Sequence, residues 1–293
     1  MQVRFQGMIQ PVLQGEAFLA DVTSTMAPGE GFHLWWLGQS GFLLQWQGRH
    51  LLFDPYLSDS LTHKYAATDK PHVRMTELVV DPARLDFIDV VTSSHNHTDH
   101  LDSETLLPLL RANPGLELVV PEANRTFVAD RLGILTESPR GLEAGRATTI
   151  GPFRLHGVPA AHERLERDEY GRDHFLGYVV QFGEWTIYHS GDTVQYPGME
   201  DWLRRWSIDV AILPINGRAP ERRVAGNLSG EEAAVLAHDC GVRCVIPCHY
   251  EMFEFNTASP DAFVAACNRL KQGYQVLKAG ERWSSGRLKG QIP

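Results

Sequence analysis

The stretch Ser94-His95-Asn96-His97-Thr98-Asp99-His100-Leu101 places four side chains that can bind metal within six residues. It follows the apolar run Phe87–Val91, which predicts a buried strand, and it precedes a helical pattern at Ser103–Leu110. A turn between a buried strand and a helix can direct several side chains toward one point. Imidazole nitrogen and carboxylate oxygen suit zinc and other transition metals. We therefore predict a metal centre at this turn.

The spacing within the turn indicates how the side chains divide. If the segment is locally extended, His95 and His97 point the same way because side chains alternate along extended backbone. Asp99 and His100 lie beyond them and are placed to face a second ion. The alternative is a polar loop in which the histidines occur by chance. This pattern directly after a buried strand is specific enough to favour the metal site.

One short segment cannot complete two metal shells, so further ligands must come from elsewhere in the chain. His162, Asp192 and His249 each stand at the end of a strand-like run. Loops at the rim of a sheet are where a fold gathers distant functional side chains. A single histidine at a strand end is usually a core or surface residue. The prediction therefore depends on the combination with the turn at His95–His100.

The remainder of the chain predicts an α/β protein. A short helix is expected around Glu16–Thr25, followed after Gly31 by the strand-like runs HLWWLG, GFLLQWQ and HLLFDP, with a hairpin turn at Gly48-Arg49. The last third alternates the strands IDVAILP, VRCVIPCHY and YQVLKAG with two helices, which open with the capping pattern at Ser229–Glu232 and at Ser259-Pro260. This order favours two mixed β-sheets packed face to face with helices outside. We expect a single domain over residues 31–293, with residues 1–30 as an N-terminal extension packed on it.

Composition excludes several classes of protein. The formal net charge is −9 and no run of Lys or Arg occurs, so duplex nucleic acid is not an expected partner. No stretch is apolar for the length of a membrane span, and the N-terminus lacks the pattern of a secretory signal, so we expect a cytoplasmic protein. The four cysteines form no CxxC pair, and we expect them to be reduced thiols that pack in the core.

The segments HNHTDH, SGDT and PCHY, together with His162, occur in the order and positions typical of the metallo-β-lactamase superfamily, which the chain resembles from Gly31 to its C-terminus. The resemblance implies a four-layered αβ/βα sandwich that holds two divalent cations. It also implies a division of ligands, in which one cation takes His95, His97 and His162, the other takes Asp99, His100 and His249, and Asp192 bridges them. Zinc is the first expectation, with Mn²⁺ and Fe²⁺ as alternatives.

Within the superfamily, segments of this chain resemble two groups of enzymes especially well. The runs WWLGQSGFLL, YHSGDT, IDVAILPINGRAP and VIPCHYEMFEFN resemble the L-ascorbate-6-phosphate lactonase-like hydrolases. The runs FDPYLSD and SSHNHTDHLD resemble the phospholipase D that hydrolyses N-acylphosphatidylethanolamines. The first resemblance covers more of the chain, and it implies a homo-oligomer. The loop between Pro71 and Leu85 and the segment after His162 match neither group.

The expected chemistry is hydrolysis by a hydroxide that bridges the two cations. Asp99 is the candidate for orienting this nucleophile or carrying its proton while also serving as a ligand. Asp54, in Phe53-Asp54-Pro55, is the candidate for accepting the free N–H of a ligand histidine. The alternative for Asp54 is a turn aspartate before proline.

Substrate contacts are predicted from two segments. Arg218, Arg222 and Arg223 lie in a loop after a strand and are candidates for holding a phosphate or carboxylate, with a solvated loop as the alternative. Tyr250, beside His249, is a candidate for a substrate contact or for packing. The loop Glu163–His174 is long and charged, as expected of either a lid or a mobile surface loop.

These features predict a hydrolase that opens the lactone of a small anionic metabolite, including a phosphorylated one. The first alternative is a phosphodiesterase. A metal-based redox enzyme is less favoured because diiron relatives carry a flavin domain that we do not expect here. A non-catalytic metal-stabilised binding protein is the fourth hypothesis, and the complete set of candidate ligands argues against it.

Overall fold

The computed structural model describes residues 7–25 and 31–290, and the strands within these ranges form two mixed sheets. The strands are β1 (Phe32–Gly38), β2 (Gly41–Trp46), β3 (Arg49–Phe53), β4 (Val90–Thr92), β5 (Glu117–Pro121), β6 (Arg140–Leu142), β7 (Ala147–Ile150), β8 (Phe153–Pro159), β9 (Leu176–Phe182), β10 (Trp185–His189), β11 (Val210–Pro214), β12 (Cys244–Cys248) and β13 (Arg282–Ser284). The first sheet has the order β13-β1-β2-β3-β4-β5-β6, and the second has the order β12-β11-β10-β9-β8-β7. Each sheet combines antiparallel hairpins with parallel pairs, which are β3–β4–β5–β6 in the first sheet and β10–β11–β12 in the second.

Helices pack against both sheets. They are α1 (Gly15–Ser24), α2 (Ser60–Tyr65), α3 (Ser103–Ala112), α4 (Arg125–Leu132), α5 (Met199–Leu203), α6 (Gly230–Asp239) and α7 (Asp261–Leu270). Helix α2 is the exception, because it packs in a separate small cluster beside a cavity. Short 3-10 turns occur at residues 82–84, 122–124, 220–222 and 285–290. Across the described ranges, every helix is too short or too polar to cross a bilayer.

Strand β1 shows how the layers are built. Leu34 and Trp36 belong to the core between the two sheets, whereas Trp35 and Leu37 belong to a second core between the first sheet and its helices. Side chains of a strand alternate between its faces, so one strand supplies both cores. Trp35 and Trp36 are therefore both core residues, in different layers. The predicted four-layered αβ/βα sandwich is confirmed.

The expected N-terminal helix is present as α1 and packs on the first sheet. Its side chains Phe18 and Val22 are fully buried, and Phe18 lies edge-on to Trp35 with ring centroids 6.4 Å apart. Trp35 Nε1 donates to Asp21 Oδ2 at 2.8 Å, which adds a polar contact to the apolar one. The division of the chain at residue 30 stays a prediction.

Two other local predictions are confirmed. Helix α6 has both hydrogen bonds of the capping box, since Ser229 Oγ accepts from the Glu232 N–H and the Glu232 carboxylate accepts from the Ser229 N–H. The cysteines are free and buried as expected: Cys240, Cys244, Cys248 and Cys267.

Several predicted boundaries are wrong by one to three residues. The hairpin turn between β2 and β3 is Gln47-Gly48, where both residues have positive φ, as a tight two-residue hairpin turn requires. The strand expected at Phe87–Val91 is β4, which begins only at Val90. Helix α7 begins at Asp261, whose N–H is accepted by Ser259 Oγ.

The strand predicted in YQVLKAG, residues 274–280, is absent. The chain there makes a single bridge to β12, in which the Gln275 N–H donates to the Val245 carbonyl at 3.1 Å. It then crosses to the other sheet, where β13 pairs with β1. The segment has the residue composition of a strand, but it forms the connection between the two sheets. Such a connection needs extended backbone that is not paired in a sheet.

Candidate metal centre

The turn that contains the four clustered candidate ligands is held by both sheets. Ser93 N–H donates to the Val119 carbonyl in the first sheet at 3.0 Å. From the second sheet, Leu176 N–H donates to the Ser94 carbonyl at 3.0 Å, and Tyr178 Oη donates to the Ser93 carbonyl at 2.9 Å. Asp102 then caps helix α3 by accepting from the Glu104 N–H at 3.3 Å. These contacts fix the backbone from which the candidate ligands project.

All seven predicted ligands lie together at the ends of strands. They form two groups, His95, His97 and His162 in one and Asp99, His100, Asp192 and His249 in the other, and within each group the candidate ligand atoms lie within 4.8 Å of one another. The segment after Ser94 is a series of turns and not extended backbone. His95 and His97 nevertheless face the same group, with ring centroids 4.6 Å apart.

Asp192 lies between the two groups. Its Oδ1 is 3.3 Å from His100 Nε2, and its Oδ2 is 3.2 Å from His249 Nε2 and 3.6 Å from His162 Nε2. One carboxylate therefore reaches histidines of both groups, which is the placement that a bridging ligand requires.

The buried polar atoms of the cluster fit divalent cations. His95 Nε2 is buried and has no hydrogen-bond partner within the described ranges. His100 Nε2 and Asp192 Oδ1 are also buried, and they lie 3.3 Å apart without hydrogen-bond geometry. A buried polar atom without a partner costs about 1–3 kcal/mol, so such atoms are uncommon in folded proteins. Nitrogen and carboxylate oxygen that converge in this way form the donor set of zinc and related ions.

In the metal-free protein, the pKa values of the histidines differ between the two groups. Burial alone would lower the pKa of His249, but the carboxylates of Asp192 and Asp99 outweigh it and raise the pKa to about 9. Burial likewise opposes protonation of His100, yet the neighbouring carboxylates raise its pKa well above its ordinary value. Burial and the adjacent histidines hold the pKa of His95 well below its ordinary value. The metal-free protein therefore binds a proton more readily at His100 and His249 than at His95.

Asp54 makes the type of contact expected from its sequence position. Its carboxylate is fully buried, and its Oδ2 lies 2.7 Å from His100 Nδ1. The carboxylate also accepts from the Ser94 N–H at 3.1 Å and from Thr92 Oγ1 at 2.9 Å, and it accepts from Ser94 Oγ. Burial opposes its ionisation, but the contact with His100 leads the interactions that lower the pKa of Asp54.

Gly191 allows Ser94 to occupy this position. Gly191 has φ +60°, and a Cβ built on it would lie 2.5 Å from Ser94 Cβ. The glycine of the SGDT motif is therefore required twice, for its backbone conformation and for the close approach of Ser94. His162 is oriented separately, since its Nδ1 lies 2.8 Å from the Gly226 carbonyl, which it can contact only as a donor. That contact leaves Nε2 of His162 free to face the cluster.

The cluster opens into a cavity of about 320 Å³. Asp99, which is partly exposed, and His97 line this cavity together with His162, Asp192 and His249. Residues of α2, of the segment after it, of α4 and of the segment after His249 also line the cavity. This volume fits a small molecule.

The three predicted arginines do not line the cavity. Arg218 pairs with Glu232, Arg223 Nη1 lies 2.9 Å from Asp69 Oδ2, and Arg222 donates to the carbonyls of Asn216 and Thr257. Each of the three thus has a partner within the protein and lies outside the cavity lining, as in the solvated-loop alternative.

Tyr250 and the loop Glu163–His174 are also placed away from the cavity lining. Tyr250 is buried, its ring lies 4.4 Å from that of Trp36, and its hydroxyl donates to the Leu277 carbonyl, so it packs. The loop is braced by ion pairs, of which Arg167 with Asp173 at 2.9 Å is one.

Sequence reasoning missed several residues of the site, among them Gln39, Lys64 and Arg131. Gln39 Nε2 lies 2.8 Å from Asp99 Oδ2 and 3.0 Å from His249 Nε2. Lys64 and Arg131 line the cavity, and neither has an acidic partner within 4 Å among the described residues. Gln39 lies in the motif WWLGQSGFLL and was within reach of sequence analysis. Lys64 and Arg131 lie on helices, and the packing of each helix sets the direction in which its side chains point.

The two sheets and their helices form a metallo-β-lactamase fold, and side chains that could hold metal ions cluster at its strand ends. The sequence profile of the beta-lactamase superfamily domain matches residues 49–250. This is more than half of the chain, and the chain therefore belongs to the beta-lactamase superfamily.

Relatives and solved structures are similar over most of the chain. A UPF0173 metal-dependent hydrolase of Pyrobaculum aerophilum is 25% identical over 84% of this chain and 96% of its own. The metallo hydrolase Igni18 of Ignicoccus hospitalis has a TM-score of 0.63 at 20% identity, covering 87% of this chain and 98% of its own. An isothiocyanate hydrolase from Delia radicum gut bacteria has a TM-score of 0.67 at 18% identity, covering 86% and 98%. The two structures support the fold.

Proposed function

We propose that this protein is a metal-dependent hydrolase with two divalent cations. One cation would be held by His95, His97 and His162, and the other by Asp99, His100 and His249, with Asp192 shared. The observation that carries the proposal is the convergence of seven candidate ligands from four strand ends, with buried nitrogen and oxygen atoms that lack hydrogen bonds. Similarity to relatives named as metal-dependent hydrolases supports it.

The reaction that suits this site is attack by water on an ester or phosphoester. Bound cations would supply Lewis acidity and a water whose pKa is lowered toward neutrality. Asp99 has a partly exposed carboxylate on the cavity wall and is the candidate for orienting the attacking water and accepting its proton. Gln39 holds the Asp99 carboxylate through a 2.8 Å hydrogen bond, which limits its rotation.

A small anionic substrate suits the charges of the cavity. The only acidic side chains that line it within the described residues are Asp99 and Asp192, and both belong to the cluster. Lys64 and Arg131 add two cationic groups without an acidic partner within 4 Å in the described part of the chain. A carboxylate or phosphate on the substrate would pair with them. Opening of the lactone of such a metabolite is the activity that we propose first.

Hydrolysis of a phosphodiester is the second candidate. The position of Asp192, within 3.6 Å of histidines in both groups, favours it. Two-metal sites that share a carboxylate can stabilise both the attacking and the leaving oxygen of an in-line displacement.

Metal analysis and a substrate panel test the proposal together. Purified protein is expected to contain about two zinc or manganese ions per chain, and coloured iron would instead favour redox chemistry. Lactones with and without a phosphate group are compared with bis(p-nitrophenyl) phosphate. Hydrolysis of either class that is lost in Asp192→Ala supports the proposal. Full activity in Asp192→Ala, or no hydrolysis of either class by the metal-loaded protein, contradicts it.

Three further predictions accompany the proposal. A homo-oligomer and a cytoplasmic location are proposed from the sequence alone. The division into an N-terminal extension over residues 1–30 and one domain over residues 31–293 is proposed on the same basis.

A further inference from the structure

Four aromatic side chains form one wall of the cavity that contains the metal cluster. We call Tyr65, His72, Phe253 and Phe255 the aromatic wall. The ring of His72 is stacked on Tyr65 with centroids 4.1 Å apart and an interplanar angle of 18°. It also lies edge-on to Phe255 at 4.5 Å and to Phe253 at 5.3 Å.

The aromatic wall is separate from the two cores that stabilise the sandwich. Phe253 belongs to a small third cluster, against which Tyr65 and Phe255 pack while remaining partly exposed. Exposed apolar rings gathered around a concavity are typical of ligand-binding surfaces. Packing alone therefore does not account for these rings, because three of the four remain partly open to the cavity.

The backbone behind the aromatic wall is braced, so the wall is preformed. Met75 N–H donates to the Met252 carbonyl at 2.8 Å, and Glu254 N–H donates to the Val73 carbonyl at 3.1 Å. Arg74 joins the same region to Asp59 through a 2.6 Å ion pair and is itself almost fully buried. A ligand would meet these rings without paying for their ordering.

The aromatic wall is joined directly to the metal cluster. His249 follows β12, and the chain reaches Phe253 four residues later through a turn in which His249 and Glu251 have positive φ. Lys64 lies at the other end of the wall, with its ammonium 5.1 Å from the centre of the Tyr65 ring. The candidate metal ligands, the aromatic wall and the ammonium group of Lys64 therefore follow one another along the cavity.

We propose that the aromatic wall is a specificity subsite for a flat, aromatic group carried by an anionic substrate. The inference rests on the proposed hydrolase function and names its substrate class. A planar group stacks on or lies edge-on to these rings, because aromatic pairs favour such geometries. A puckered saturated ring of equal size loses that contact. The substrate's anionic group lies within reach of Lys64 or of the cluster.

Binding of a matched pair of ligands tests the subsite. Zinc-loaded protein is titrated by calorimetry with 3-phenylpropanoate and with 3-cyclohexylpropanoate, which share their charge and chain length and differ in the flatness of the ring. Aromatic contacts of this kind are worth about a fivefold difference in Kd, and wild type is expected to favour the phenyl ligand by that factor. Phe255→Leu and Tyr65→Leu, each made separately, are expected to bring the two affinities to within about twofold of each other. Tyr170→Leu, at a ring 73% exposed and outside the cavity lining, is expected to keep the wild-type ratio.

The outcomes separate this inference from the proposed function. Zinc binding and thermal melting of each variant establish that it is folded, and two different wall variants are used so that one unstable protein does not decide the result. A wild-type ratio near one, or the wild-type ratio retained in both wall variants, overturns the subsite even if lactones are hydrolysed. The expected ratios in a protein that hydrolyses neither lactones nor phosphodiesters support the subsite and contradict the proposed reaction.

Discussion

Oδ2 of Asp54 lies 2.7 Å from Nδ1 of His100, and neither side chain is exposed to solvent. The carboxylate is supported from behind by the Ser94 N–H and by Thr92 Oγ1. This contact places the Nδ1 proton of His100 on the Asp54 side and leaves Nε2 facing Asp192. Partners of this kind orient metal-ligating histidines and raise their basicity.

Asp54→Asn is therefore expected to weaken metal binding without removing any candidate ligand. The amide can still contact His100, but it lacks the charge that favours the required tautomer and ring orientation. The affinity for zinc is expected to fall about 10- to 100-fold, measured by competition with a chromophoric chelator. Asp209→Asn is the matched control, because Asp209 is also a buried, hydrogen-bonded aspartate and pairs with Arg243 away from the cluster. Equal zinc affinity in wild type and Asp54→Asn would remove the proposed role of this aspartate.

Metal-free protein is expected to lose stability as the pH rises from about 6.5 to about 9. The pKa of His249 is raised to about 9 by Asp192 and Asp99 against the effect of burial, above the value of about 6.5 for an unfolded histidine. Its contribution is fully present below the unfolded pKa and is lost as the pH passes the folded pKa. The lowered pKa values of His95 and His97 act only below pH about 6.5, outside this window.

Urea unfolding of chelator-treated protein at pH 6.5, 7.75 and 9 measures this dependence. His249→Gln is expected to make the decline shallower, since one of the two histidines with a raised pKa is gone while His100 remains. Zinc-loaded protein is expected to show the opposite trend, because cations compete with protons for the same nitrogen. A decline in His249→Gln as steep as in wild type would assign the pH dependence to other groups.

Substrate binding is expected to depend on the cationic side chains that line the cavity, Lys64 and Arg131, and not on the loop arginines. Lys64→Met and Arg131→Met are each expected to raise KM for an anionic substrate about tenfold and to change kcat less than twofold, because a charge-assisted contact is lost in both ground and transition states. Arg222→Ala, whose side chain lies outside the cavity lining, is expected to leave KM unchanged. Arg223→Met is a matched control outside the cavity lining. An effect confined to the loop arginines would restore the sequence-based prediction.

Removal of single candidate ligands is expected to act unequally on the two groups. His97→Ala leaves the group of Asp99, His100, Asp192 and His249 intact, so about one ion per chain is expected to remain. Asp192→Ala affects both groups and is expected to lose both ions and the stabilisation that zinc gives. Metal content and the zinc-dependent shift in Tm measure these losses, since a ligand that binds only the folded state raises Tm. Two ions retained in Asp192→Ala would show that the aspartate is not shared.

The parts of the site that sequence predicts are those encoded by local pattern. HNHTDH follows a buried strand and precedes a capped helix, so the direction of its side chains is largely set by its neighbours in the chain. His162, Asp192 and His249 each stand within three residues of a strand end. The fold class followed from the order of hairpins and helices for the same reason.

The parts that sequence did not predict depend on distant packing. Arg131 reaches the cavity because α4 packs beside the turn and its guanidinium donates to the Asn96 and Leu101 carbonyls. Lys64 lies on a helix of six residues that the sequence pattern did not distinguish from a loop. The three loop arginines had suitable chemistry, but each has a partner that only the folded chain shows, and Asp69, the partner of Arg223, is 154 residues away.

Both sheets contribute to the cluster, since His95–His100 follow β4 of the first sheet whereas His162, Asp192 and His249 follow strands of the second. Cations bound between them would cross-link the two halves of the sandwich at this rim. Amide hydrogen exchange at the ends of β4, β10 and β12 would then slow together on metal loading, as would cleavage by proteases that need local opening. Metal supply would thereby set the lifetime of the folded protein as well as its activity.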